Sequence, residues 1–166
     1  MFPNLKVLAT AALVPLFIWL IWYSPFLFGK AWLKAAGLNM KKMQGVNILL
    51  VFALTYVLSL VASVMIYTMV IHQTHFFSLL GITPGAIIRN DELRQLVSGF
   101  MSANGNNFRT FGHGMFHGAM GGLLIVTPII ATNALFERKG FKYIAINGGY
   151  WVVSLACMGA IISKYA

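Results

Sequence analysis

Four long apolar runs, at residues 7–29, 47–71, 113–136 and 142–162, constrain this chain more than any other feature. A hydrocarbon core of about 30 Å takes about 20 apolar residues in a helix to cross. A backbone in lipid must also satisfy its own hydrogen bonds, which a lone run of that length does only as an α-helix. The charged fraction agrees: 9% of the 166 residues are charged and 59% are hydrophobic, where soluble domains carry about 25% charge. The runs therefore predict an all-α, polytopic bundle of four transmembrane helices, and residues 1–166 leave no room for a second domain. The first run is too long for a signal-peptide core and lacks a small-x-small cleavage site, so it reads as a retained helix.

The net charge of +9 has no basic cluster on a soluble module, so nucleic acid is not the expected partner. Its distribution points to topology. Loops one and three hold Lys30, Lys34, Lys41, Lys42, Arg138, Lys139 and Lys142. The other side holds Lys6, Arg89, Arg94, Arg109 and Lys164. The positive-inside rule places the first group in the cytoplasm and both termini outside. Cys157 has no partner for an intrachain disulfide.

Pro15 interrupts the first run and predicts a bend, while Trp19, Trp22 and Tyr23 fit a headgroup belt. Loop one reads as a charged topology determinant that can also form a short interfacial helix around Trp32 and Leu33. In the second run Thr55, Ser59, Ser63 and Tyr67 recur every four residues and predict a packing face. The long loop, about 72–112, carries Leu93, Leu96, Val97, Phe100 and Met101 on one stripe. Asn90, Asp91 and Glu92 supply a cap and an acidic first turn. The expectation is an amphipathic helix lying on the bilayer or roofing the bundle, with a lid as the sharper alternative. Asn133 and Asn147 are equidistant from Gly140 and are expected to clamp the last two helices at one depth.

Two sets of residues can carry chemistry. His72 and His75 follow the second run, and His113 and His117 open the third. Positions i and i+4 share a helix face and can chelate one ion, and neutral imidazole is a common metal ligand. Against metal or haem ligation stands the lack of a third ligand within "HGMFH" and of a nearby carboxylate. In the second set Arg109, His113 and His117, with Asn107 before them, suggest an anion or ligand site at a helix N-terminus. Lying one turn deeper than His113, His117 is expected to need a polar partner: Ser63, Tyr67, a bound ligand, or a water linking to His72. Solvent is expected to satisfy His113. Gly114, Gly118 and Gly122 form a small-xxx-small stripe, predicting close helix contact within the bundle or between protomers. Nucleophile triads, phosphate-binding loops and CxxC motifs are absent, which leans away from an enzyme.

"IWYSPFLFGKAWLKAAGL" and "TNALFERKGFKYIAINGGYW" resemble the signature stretches of domain-of-unknown-function 1761 family, small bacterial membrane proteins. The insert "GNNFRTFGHGMFHG" is similar to Bacteroidetes-type members. The resemblance implies a four-span domain in the bacterial inner membrane and brings no assigned activity or cofactor. Placed first, then, is a non-enzymatic binding or scaffold protein that packs or self-associates through its glycine and serine faces. It would hold a lipid or small ligand at its outer face. The alternatives are a metal- or haem-binding redox subunit using the histidines, and an oligomeric small channel or transporter.

Overall fold

A computed structural model describes residues 3–39 and 45–166; Lys41 and Lys42 lie outside them. Four helical stretches are long and apolar enough to cross a membrane: Leu5–Trp22, Ile48–Val70, Phe111–Phe136 and Phe141–Tyr165. The first is α1 (Leu5–Ala11) followed by α2 (Val14–Trp22). The break falls where proline dictates it, because the ring of Pro15 conflicts with the carbonyl four residues back, that of Ala11. The stretch stops at Trp22, short of the expected end at Gly29. Pro25 disfavours helical backbone at Ser24, and the chain turns back there into α3 (Gly29–Ala36). Thus loop one does form a short helix, which ends at Gly37 in the left-handed region (φ 71°).

The second crossing is α4 (Ile48–Val70), capped by the Asn47 side chain on the Leu50 amide. The long loop contains α5 (Gln73–Leu79), which the hydrophobic pattern did not announce, and the expected amphipathic α6 (Asp91–Asn104). The α6 cap is the anticipated one, with Asn90 accepting from the Leu93 amide. Its apolar side meets α5, where Phe76 stacks on Phe100 at 3.8 Å between ring centroids.

The third crossing is α7 (Phe111–Gly121), a π-helical turn at Gly122–Val126, and α8 (Thr127–Phe136). Pro128 lacks the amide that an α-helical ladder would use here, and the widened turn absorbs the interruption. The Thr127 hydroxyl donates to the Gly122 carbonyl at 2.8 Å across it. Arg138, in the left-handed region, closes α8, and α9 (Phe141–Tyr165) returns as the fourth crossing.

The fourth crossing is the axle of the bundle. Half of its apolar stretch is buried, against 11% for α4, and α1, α2, α3, α4, α7 and α8 all contact it. This explains its composition: Gly148, Ser154, Ala156, Gly159, Ala160 and Ser163 are all buried, and small side chains let neighbouring helices approach. The core concentrates at the end that carries both termini, where Leu8, Ala11, Ile66, Tyr67, Val70, Ile71, Met158 and Ile162 pack together. The opposite end is tied by polar contacts onto the hairpin between α8 and α9. The Trp22 indole donates to the Ile146 carbonyl at 3.0 Å, the Tyr23 hydroxyl to Asn147 Oδ1 at 2.8 Å, and the Lys139 ammonium to the Ala36 carbonyl.

Candidate metal centre

At the core-rich end, α4 stops at Val70 and the chain passes through Ile71 into the first turn of α5. His72 occupies that corner, with its carbonyl accepting the His75 amide at 3.0 Å. Opposite it, Thr110 starts α7 by accepting the His113 amide on its hydroxyl at 3.2 Å. One turn later comes His117, on the same face by the four-residue spacing. The depth and rotation of α7 are fixed by its glycines. A Cβ on Gly114 would overlap the Gly159 carbonyl, one on Gly118 the Leu155 carbonyl, and one on Gly122 would lie 2.5 Å from Val152 Cα. No other rotation of α7 lets its backbone lie so close to α9.

The result is a cluster of three imidazoles. His72, His113 and His117 each place a ring nitrogen within 4.8 Å of the other two. His113 Nε2 and His72 Nε2 are 3.0 Å apart, one ring donating to the other. Ring centroids lie 4.4 Å apart for His113 and His117 and 5.1 Å for His72 and His117. All three are half-buried. A tetrahedral ion with nitrogen ligands at about 2.0–2.1 Å holds those nitrogens about 3.3–3.4 Å apart, so an ångström-scale tightening brings the three onto one ion. Burial, then the neighbouring His117 and His75, pushes His72 below the ordinary imidazole range, which keeps it in the neutral, ligating form. No carboxylate joins the cluster among the described residues.

Aromatic and backbone contacts flank it on one side. Phe108 stacks on His72 at 5.6 Å and lies 5.1 Å from His113. Its φ of 62° is an uncommon conformation for a bulky residue. It is held there by its carbonyl, which accepts the Ser163 hydroxyl at 3.1 Å and the Thr110 amide at 2.9 Å. Gln73, buried beside His72, donates to the Asn104 and Asn107 carbonyls at 2.9 and 3.0 Å. This ties the exit of α6 to the start of α5.

The remaining sequence candidates divide. Exposed His75 has its ring 6.2 Å from that of His72 and stands outside the three-nitrogen set. Arg109 donates from Nε to the Ser163 carbonyl at 3.0 Å, so it ties the loop to the end of α9. Asn107 is exposed and donates to Asn104 Oδ1 at 2.9 Å. His113, expected to be satisfied by solvent, holds the hydrogen bond to His72, and His117 completes the triangle. Ser59 and Ser63 are buried in the face of α4, as their spacing predicts. Asn133 is exposed and makes no side-chain hydrogen bond among the described residues, while Asn147 binds Tyr23 and the Tyr143 carbonyl. The expected amide clamp is replaced by a Tyr23–Asn147 bond, since Asn133 is exposed and Tyr23, capping the end of α2, is what reaches Asn147. Sequence reasoning also missed Phe108 and Gln73; their setting in an Asn-rich turn and beside a histidine was the available signal.

Comparison with known proteins adds family membership. The family described as "Protein of unknown function (DUF1761)" matches residues 7–163, so the chain belongs to it. Neither a curated protein nor a solved structure matches.

Proposed function

We propose that this DUF1761 protein is a membrane protein that binds one divalent transition-metal ion, with His72, His113 and His117 as ligands. The observation that carries the reading is the convergence of three imidazole nitrogens within 4.8 Å of one another, from the α4–α5 corner and from α7. Zinc and copper are among the ions that suit an all-imidazole set. Three protein ligands leave a coordination position for water or a small exchangeable ligand. With no carboxylate at the cluster among the described residues to act as general base, the arrangement suits holding or passing on a metal better than carboxylate-assisted hydrolysis. A lipid or small anion held by Arg109 is less well supported, since that guanidinium is engaged with α9. In orientation, the lysine and arginine bias puts the cluster and both termini outside the cytoplasm.

The test is metal content and titration on purified full-length protein in detergent. After chelator stripping, isothermal titration with Zn²⁺ and with Cu²⁺ is expected to give one ion per chain. Alanine at position 72, 113 or 117 should each weaken binding by more than tenfold, and His75→Ala should leave it within about twofold. Sub-stoichiometric binding by the wild type, or unchanged affinity in all three cluster variants, overturns the proposal.

A further inference from the structure

At the end of the bundle away from the histidines lies a cavity of about 440 Å³, walled by Trp19, Tyr23, Pro25, Lys30, Trp32 and Leu33. Small-molecule sites run from about 300 to 1,000 Å³. The cavity exists because the chain doubles back after α2. The Phe28 amide donates to the Trp22 carbonyl at 3.0 Å and the Gly29 amide to the Ser24 carbonyl at 2.9 Å. Gly29 is indispensable to that turn, since a Cβ there would overlap the Tyr23 carbonyl. Tyr23 and Trp32 meet edge to face at 5.3 Å, forming an aromatic wall.

Two polar features break the apolar lining. Lys30 is exposed, and Lys34 follows four residues later on the same face of α3. Buried Trp32 Nε1 has no acceptor among the described residues, although a buried donor costs about 1–3 kcal/mol when left unsatisfied. The Tyr23 hydroxyl is already spent on Asn147. The cavity therefore offers one cation, one indole donor and a long aromatic and aliphatic wall, at the level where the first crossing ends.

We propose that this cavity binds one anionic phospholipid. The phosphate sits on Lys30 with Lys34 beside it. An ester carbonyl takes the indole proton as Trp32 turns its edge toward the cavity that its ring lines, and an acyl chain follows Trp19, Pro25 and Leu33. An amphiphile with a negative head, a carbonyl acceptor and a long apolar tail matches all three features. A polar soluble ligand would leave the wall unused, and a zwitterionic lipid brings its own headgroup cation beside the phosphate, in competition with Lys30 and Lys34. This site is independent of the histidine cluster.

Native mass spectrometry of the full chain, released from detergent after addition of phosphatidylglycerol or phosphatidylcholine, tests it. One phosphatidylglycerol is expected to remain per chain in preference to phosphatidylcholine. Lys30→Gln, a change at an exposed position, should weaken its retention about fivefold, the effect of one lysine near a phosphate. Leu33→Trp should reduce it by filling the cavity. Lys6→Gln at the other end and His72→Ala should leave it unchanged, which separates this result from that of the metal titration. Equal retention of the two lipids, or wild-type retention by both Lys30→Gln and Leu33→Trp, overturns the proposal.

Discussion

Gly118→Ala isolates the contact that sets the position of α7. The added methyl carbon would overlap the Leu155 carbonyl oxygen, lie 2.6 Å from its carbon and 3.0 Å from Ala156 Cα. All three are backbone atoms of the central helix, so no side chain can swing aside. Overpacking costs typically about 1–3 kcal/mol, and a backbone-on-backbone collision belongs at the upper end, about 3 kcal/mol. Replacing a helical glycine by alanine returns about 1 kcal/mol of propensity, for a net loss of about 2 kcal/mol. In a chain of this size each kcal/mol moves Tm by about 2–4 °C, so a drop of about 4–8 °C is expected. Gly99→Ala in α6 is the matched control, because its methyl meets nothing within 4 Å. It should raise Tm by about 2–4 °C from the same propensity gain. Tryptophan fluorescence melts in detergent read both variants. Melting of Gly118→Ala at or above the wild-type temperature would remove the glycine contact from the reasoning.

Other expectations follow from separate contacts. Gly118→Leu should destabilise more than Leu124→Ala, since Leu124 is 59% exposed on the outer surface of the bundle; equal melting temperatures would refute this. Removing the Tyr23 hydroxyl by Tyr23→Phe should cost about 1 kcal/mol, read as a lower Tm, and should not be additive with Asn147→Ala, because the two share one bond. Burial lowers the His72 pKa in the fold, so the folded protein binds that proton less tightly than the unfolded chain. Its stabilising effect is present above about pH 6.5, the unfolded value, and is lost as pH falls through that point toward the folded pKa. The drop in Tm between pH 7.5 and 5.5 should accordingly be larger for the wild type than for His72→Gln. For topology, cysteines placed at positions 41 and 138 should resist an impermeant thiol reagent in intact cells, while one at position 104 should react. The reverse pattern would invert the orientation.

Local order is what the sequence by itself determined. The four crossings follow from run length and hydropathy, α6 from its stripe and Asn90 cap, and the break before Pro15 from a missing amide and a ring clash. Each depends on residues within a turn or two of one another, so each is written in the periodicity. The glycine stripe announced a close contact in the same way, but only the fold shows that Gly159, Leu155 and Val152 consume it within one chain. The histidines show the division most clearly. The i, i+4 pair on α7 was legible as two ligands, and the missing third ligand weighed against a metal. The third imidazole of the cluster is His72, 41 residues away from His113 along the chain. It arrives because α4 ends at the level where α7 begins and both helices lean on α9. Such a meeting depends on helix lengths, crossing depth and rotation fixed by packing against a third element, and no local spacing in the sequence encodes it. Tyr23 illustrates the same limit: its aromatic neighbours suggest an interfacial anchor, and only the fold shows that it donates to Asn147 across 124 residues. Secondary structure is a property of neighbours in the chain, whereas a site assembled from distant segments is a property of how their surfaces fit.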